Sequence, residues 1–420
     1  MIYMESLKVR HLEQLYDYRQ QLRRSPRLRR LFLELTLRCN ENCLHCGSRC
    51  RETTDGQGWA NSSPQVNSSL QANSSLQVNS SPQGNSKFKG DESYCSDGKN
   101  TLDGGNAAGE NDGSGKVEKT EISTEDYYAF LDKVKADFAE ALPMLCITGG
   151  EPLLRKDFFE IMEYAHRLGF TWGMTSNGTL ITKDVAERLK AAGMSTISVS
   201  IDGTEDIHNA FRRSRDGFRP TVEGVRNLMK QGFDAVQVTT VVTKKSLGCL
   251  DKLFELMLDL DVDSWRVIGI EPIGRALELK GYALSYAEQR QMLDFIRAKR
   301  QEGYPVTYGC SHFLGLTYER EVRDWYFLCN AGIYTASIMA NGDIGACLDI
   351  ERRPETIQGN IFRDDFKQVW TERFEIFRTS LAEQSEKCAE CVHRRYCEGG
   401  SYHSWDYDRK EQRMCFLTEA

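Results

Sequence analysis

The sequence predicts an α/β fold: a partial parallel barrel of six β/α units, a (β/α)6 TIM-like plan, followed by a small C-terminal α+β cysteine-rich domain. Three observations carry this. Short runs rich in apolar and β-branched residues at 32–37, 144–149, 171–176, 195–201, 235–242 and 265–270 read as strands. Amphipathic segments at 124–139, 157–168, 183–192, 221–231 and 249–260 lie between them, the alternation that produces a parallel sheet. After residue 328 the character changes, and cysteines recur at short, regular spacings.

Taken in order, residues 1–30 read as a charged helix. Leu12, Leu15, Tyr16 and Leu22 form a loose helical stripe, and Ser25-Pro26 ends it. Arg23, Arg24, Arg27, Arg29 and Arg30 form a basic cluster, read as a solvated face, with a peptide-docking patch as the alternative. The core spans 31–275, interrupted by a low-complexity insertion at 52–118. There Asn-Ser-Ser recurs every six residues at Asn61, Asn67, Asn73 and Asn79, with almost nothing apolar to bury, so the segment is expected to be disordered. A hexapeptide β-solenoid is the rival, but its apolar stacking positions are missing. Cys95 in this segment reads as a spare thiol. Residues 276–328 form a bridging segment, and 329–420 the cysteine-rich domain.

The 420 residues suffice for two or three domains, and a net charge of −7 with a pI near 5.7 gives no basic field for nucleic acid. The N-terminus lacks the pattern of a secretory leader, and no apolar stretch is long enough to span a membrane. Fourteen cysteines in such a chain point to metal or redox work in the cytoplasm rather than to disulfides.

The first strand runs into Cys39-x3-Cys43-x2-Cys46. This spacing supplies three thiolates and withholds a fourth. A [4Fe-4S] cubane normally takes four, so three leave one iron open, and open positions on metals are where chemistry occurs. Zinc, which favours paired C-x2-C elements, is the other reading of these residues. Gly149-Gly150-Glu151-Pro152 follows the second strand, where two glycines permit close approach of a ligand and Glu151 offers a carboxylate to an ammonium. Ser176-Asn177-Gly178 ends the third strand. Ser200 and Asp202 alternate with buried residues at the end of the fourth, and His208-Asn209-Ala210-Phe211-Arg212 follows. Such strand ends are where barrel enzymes place their sites.

These motifs, in this order, resemble the radical S-adenosylmethionine (SAM) superfamily. The resemblance implies that Cys39, Cys43 and Cys46 hold a cluster whose open iron chelates SAM, and that Gly149, Gly150, Glu151 and Pro152 serve the SAM amino group. Ser176 and Asn177 look like the ribose-side motif, and Ser200 and Asp202 are further candidates at the mouth. Arg212, in a run similar to the family's H-D-x-x-R with Asn209 in place of Asp, is the candidate partner of the SAM carboxylate, preferred over Arg213.

The C-terminal pattern is Cys329-x12-Gly342-x4-Cys347, then Cys388-x2-Cys391-x5-Cys397-x17-Cys415. Asn341-Gly342-Asp343 reads as a hairpin turn that returns Cys347 toward Cys329. The pattern resembles the SPASM extension, which holds auxiliary [4Fe-4S] clusters; a zinc ribbon is the structural alternative. By the family's crossed pairing, Cys388, Cys391, Cys397 and Cys415 complete one auxiliary cluster. Cys329 and Cys347 belong to a second, which lacks partners because Ser401 stands where the family usually has a further cysteine. Cys310 or His403 are the candidates to fill it, the alternatives being a vacant or an open site.

The resemblance covers roughly 31–275 and 329–420. It implies an enzyme in which an electron donor such as flavodoxin or ferredoxin reduces the cluster. SAM is then cleaved to methionine and a 5′-deoxyadenosyl radical, which abstracts hydrogen from substrate. SPASM proteins mostly modify peptides or proteins, so the leading expectation is post-translational modification of a peptide by thioether or C–C crosslinking. A sulfatase-maturase-like oxidation of a protein Cys or Ser is the second reading, weakened because Leu348 rather than an acid follows Cys347, Asp349 coming one place later. An iron-sulfur carrier is the non-enzymatic reading. Cys50 is a bystander or a thiol in the active-site mouth, and Cys146 and Cys249 read as core residues.

Overall fold

The computed structural model describes residues 2–48, 50, 121–309 and 312–417. The expected disorder of 52–118, with Cys95, and the candidate ligand Cys310 lie outside the described residues.

Seven strands run parallel in sequence order: β1 (Arg30–Glu34), β2 (Met144–Thr148), β3 (Trp172–Ser176), β4 (Met194–Ser200), β5 (Ala235–Val242), β6 (Ser264–Gly269) and β7 (Val306–Tyr308). Six are those the apolar runs predict. The seventh comes from the bridging segment, so the barrel extends one strand past residue 275. Burial alternates strictly along β5, as a strand with one face toward the helices and one toward the barrel interior requires.

Helix α1 (Ile2–Arg24) precedes the barrel, and α2 (Thr124–Asp137), α3 (Phe158–Arg167), α4 (Lys183–Ala191), α5 (Glu205–Arg212), α6 (Phe218–Met229), α7 (Leu250–Leu260) and α8 (Tyr286–Gln301) lie between strands. Local chemistry sets their starts. Ser123 and Thr182 accept from backbone N–H groups of the first turns of α2 and α4, and Ser285 with Glu288 makes a full capping box on α8. The core lies between helices and sheet, where Leu31, Leu33, Leu145, Trp172, Val238 and Trp265 are buried. Burying each such leucine or valine is worth about 1.5–3 kcal/mol.

The C-terminal region continues this sheet. β8 (Thr335–Ile338) pairs in parallel with β1, and β9 (Asp343–Gly345) and β10 (Gly359–Asn360) follow antiparallel. The turn between β8 and β9 is the expected one, with Gly342 at φ +88°. Helix α1 lies against the other end of this region: Arg395 and the Tyr396 hydroxyl both bond Glu13, and Lys8 pairs with Glu321. Of the basic cluster, Arg23 is bonded to Glu398 and Arg29 lies over the Tyr334 ring, so part of that face is engaged by the chain itself.

Candidate active site and auxiliary cysteine site

The cysteine loop leaves β1 and is tied down on three sides. On the first, the Gly149-Gly150 turn after β2 lies directly on it: Gly150 N–H donates to the Thr36 carbonyl (2.7 Å) and Glu151 N–H to the Arg38 carbonyl (2.8 Å). A Cβ on Gly150 would fall 2.0 Å from the Arg38 oxygen. The close approach these glycines permit is therefore to the backbone entering the cysteine loop. On the second side, Asn177 Nδ2 donates to Asn40 Oδ1 (2.8 Å), and Asn40 Nδ2 donates to Thr179 (2.7 Å). On the third, the Arg212 guanidinium sits buried between two carboxylates. Its Nη1 donates to Glu41, inside the loop, and its Nε to Asp202 at the end of β4, both at 2.8 Å.

A further strap comes from the turn after β6. Arg275 donates from its backbone N–H to the Cys46 carbonyl (3.1 Å), from Nε to Cys43 (2.9 Å) and from Nη1 to Cys50 (2.8 Å). Gly274 makes this possible at φ +54°, because a Cβ there would meet the Cys46 carbonyl at 2.3 Å. Glu41, Asn40 and Arg275 escape sequence reasoning. The one local signal that could have found the last is the Gly274-Arg275 pair in the turn that follows β6.

Glu151 joins two of the predicted motifs. Its buried carboxylate accepts from the Ser176 hydroxyl (3.0 Å) and the Asn177 N–H (2.8 Å). Burial pushes its pKa up to about 7, against the pull of those bonds. Pro152 starts the short helical turn that follows it. Asp202 is held ionised: burial opposes its charge, but Arg212 prevails, and the Val241 N–H bonds its second oxygen. Ser200 is half-buried beside it. Asn209 caps α6 by accepting from Gly217 and Phe218, and Arg213 is exposed, with a left-handed φ of 49°.

The three loop thiols fit a cluster by donor chemistry. Burial pushes the Cys39 thiol up to about 12 and raises Cys43 further. Cys46 is pulled down to about 6, chiefly by the Cys50 thiol bonding to it, with Arg275 adding. Buried thiols that resist ionisation when empty would be held as thiolates by a bound iron centre, whose positive charge replaces the lost hydration. Cys50 is thus buried against Cys46.

At the C-terminal set, Cys388, Cys391, Cys397 and Cys415 act electrostatically on one another, as one donor set would. Among the described residues no three His, Cys, Asp or Glu side chains converge on a single ion; a cubane spreads its thiolates over four irons and needs no such convergence. Cys329 and Cys347 both lie within electrostatic reach of Tyr407. Ser401 is bonded to Ser404 Oγ (2.7 Å) and His403 Nε2 (3.1 Å), and that same Nε2 is bonded to Glu271 (2.9 Å). His403 is thereby a link to the barrel rim. Asp349 lies beside the first cysteine loop, where a Cβ on Gly47 would meet its Oδ1 at 2.9 Å. Burial raises its pKa, and Glu271 and Glu34 add to the effect.

Residues 93–257 match the model of the radical SAM superfamily, a match that begins within the insertion and lies downstream of the cysteine loop, and 329–392 match the SPASM iron-sulfur cluster-binding domain. A mycofactocin maturase of Mycolicibacterium smegmatis is 31% identical over 294 residues, 68% of this chain and 72% of the relative. An AdoMet-dependent heme synthase of Methanosarcina barkeri is 28% identical over 305 residues, 68% of this chain and 84% of the relative. Among solved structures, SuiB of Streptococcus suis bound to S-adenosylmethionine shares the fold at a TM-score of 0.61 and 18% identity, over 94% of this chain and 78% of that one. Among the described residues no helix is long and apolar enough to cross a membrane.

Proposed function

Because this chain belongs to the radical SAM superfamily and carries its SPASM extension, we propose that it modifies a peptide, forming a thioether or C–C crosslink. The observation that carries the reading is the continuous sheet. Through β8 and β9 it sets Asp349, from the cysteine-rich region, beside the loop of Cys39, Cys43 and Cys46. The mycofactocin maturase relative supports the peptide class.

When bound, the cluster and SAM supply a carbon radical able to take a hydrogen atom from substrate. The chain's own residues do the rest. Cys39, Cys43 and Cys46 hold the iron centre, while Gly149, Gly150, Glu151 and Pro152 receive the SAM amino end. Ser176 and Asn177 fix the Glu151 carboxylate and serve the ribose side, with Ser200 and Asp202 at the same mouth. Arg212, two of whose nitrogens are committed to Glu41 and Asp202, positions the loop and would offer its remaining guanidinium N–H groups to the SAM carboxylate. Cys388, Cys391, Cys397 and Cys415 hold the auxiliary cluster. Asp349, a carboxylate that the cysteine-rich region sets against Gly47 of the loop, would accept a proton from the substrate once it is oxidised. The working division is a barrel core from residue 31 through β7, which ends at Tyr308, and a cluster domain at 329–420, with an electron donor of the flavodoxin or ferredoxin type in the cytoplasm.

A tetrapyrrole substrate is the second reading, favoured by the heme synthase relatives. The test is anaerobic incubation of reconstituted enzyme with SAM, reductant and either peptides encoded beside its gene or iron-coproporphyrin, read by mass spectrometry. A peptide mass change supports the proposal. Unchanged peptides with conversion of the porphyrin overturn it in favour of the second reading.

A further inference from the structure

The stripe that helix α1 buries is not purely apolar. Leu12, Leu15 and Leu22 are joined on it by Arg19, which is only 2% exposed. An arginine so placed must be held by charge and hydrogen bonds, since burial disfavours its ionised form. Its Nη1 donates to the Tyr396 carbonyl (2.6 Å), one residue before Cys397, and to Glu398 Oε2 (3.2 Å). Arg23 also uses Glu398, through Oε1 at 2.7 Å, and Gln20 donates to the same oxygen. Two guanidiniums thus share one carboxylate. The next acid in reach, Glu319, accepts from the Leu314 and Phe327 N–H groups and lies 3.9 Å from Arg323. Arg19 Nε and Nη2 and Arg23 Nε are buried without a hydrogen-bond partner. Arg19, Arg23, Cys329 and Cys397 line one small cavity of about 20 Å³. A surplus positive charge therefore sits beside the auxiliary cysteines, in surroundings that screen it little.

We propose that Arg19 is a positioning and charge-tuning residue for the auxiliary cluster: helix α1 carries a buried cation to Cys397, only partly balanced by Glu398, that favours the reduced cluster. The inference rests on the reading that Cys388, Cys391, Cys397 and Cys415 hold a cubane. Each electron taken from an external reductant makes a thiolate-bound cubane one unit more negative, so a nearby buried cation raises its reduction potential.

The test is a dithionite titration of the full, anaerobically reconstituted chain, followed by electron paramagnetic resonance with iron counting. Arg19→Gln is expected to move the auxiliary cluster to a more negative potential, and Arg19→Lys to stay nearer the wild type. Glu398→Gln, which enlarges the surplus charge, is expected to move it the opposite way. The cluster on Cys39, Cys43 and Cys46 serves as the internal control and holds its potential in all three. An iron-replete Arg19→Gln that titrates with the wild type overturns the inference. Should that variant lose iron, Glu398→Gln decides: a positive shift supports, and no shift or a negative one overturns. A wild type with iron for only the barrel cluster removes the cluster reading itself, and the inference with it.

Discussion

The two cysteine systems are held in different ways. The barrel loop of Cys39, Cys43 and Cys46 is clamped by side chains and turns that follow β2, β3, β4 and β6, each reaching across to its backbone or to the side chain of Asn40 or Glu41. The C-terminal set rests on short helical turns and on helix α1, with buried arginine and leucine as its cover. On the proposed reading, a loop that leaves one iron open cannot rely on a fourth thiolate for rigidity, and the surrounding barrel supplies it. A four-thiolate set is cross-linked by its own metal and needs less from the fold.

The sharpest break in this comparison comes from removing thiols. Cys39→Ala with Cys43→Ala and Cys46→Ala should abolish 5′-deoxyadenosine formation and remove about four irons per chain, as one cubane carries. Cys388→Ala with Cys391→Ala should cost similar iron yet leave SAM cleavage measurable. Iron analysis and chromatography of the nucleoside products check both.

Next is the buried ion triad. Arg212→Ala leaves Glu41 and Asp202 facing each other without their cation, which costs about 3–5 kcal/mol. Denaturant unfolding measures the loss, and iron retention should fall at the barrel cluster while the C-terminal cluster stays. Equal loss at both would mean that the triad serves the whole fold rather than the loop.

Gly150→Ala tests the clamp by crowding. With its Cβ 2.0 Å from the Arg38 carbonyl, either the turn or the loop entry must move, at about 1–3 kcal/mol. Thermal unfolding of the apo protein should report it. Gly232, where nothing lies within 4 Å of an added Cβ, has φ +64° and should show only the smaller backbone strain of a left-handed residue when changed to Ala.

The gentlest test is pH. Glu151 has a folded pKa of about 7, raised from 4.5. The folded state therefore binds more protons than the unfolded one between those values. Its contribution to stability is full below pH 4.5 and is lost as pH rises through 7. Glu151→Gln should flatten the stability profile of the apo protein across that window, as followed by unfolding at fixed temperature. A profile that keeps its slope would show that Glu151 ionises as freely in the folded chain as in the unfolded.

Much of this was legible in the sequence, for identifiable reasons. Strands β1 to β6 announce themselves because each is five or more residues long and rich in apolar or β-branched side chains between helical segments, and the β8–β9 turn because Asn341-Gly342-Asp343 has few other uses. Three-residue β7 is too short for any periodicity to show. The pairing of β8 with β1 joins residues some three hundred apart and has no local signature. The same holds for the clamp. The cysteines, Gly149-Gly150 and Ser176-Asn177 were visible as motifs, but Glu41 and Arg275 acquire meaning only when the fold sets them against Arg212 and the Cys43 carbonyl. Arg19 was hidden by its own stripe, since an arginine among leucines on a charged helix looks like a solvated neighbour until the helix is docked.

The most direct test of the central claim is electron paramagnetic resonance of the reduced protein before and after SAM is added, using the Cys388→Ala, Cys391→Ala variant so that the barrel cluster stands alone. An iron left free by Cys39, Cys43 and Cys46 predicts that the cluster signal changes on SAM binding and that 5′-deoxyadenosine accumulates. A cubane signal that SAM leaves untouched, with no nucleoside formed, would contradict the account.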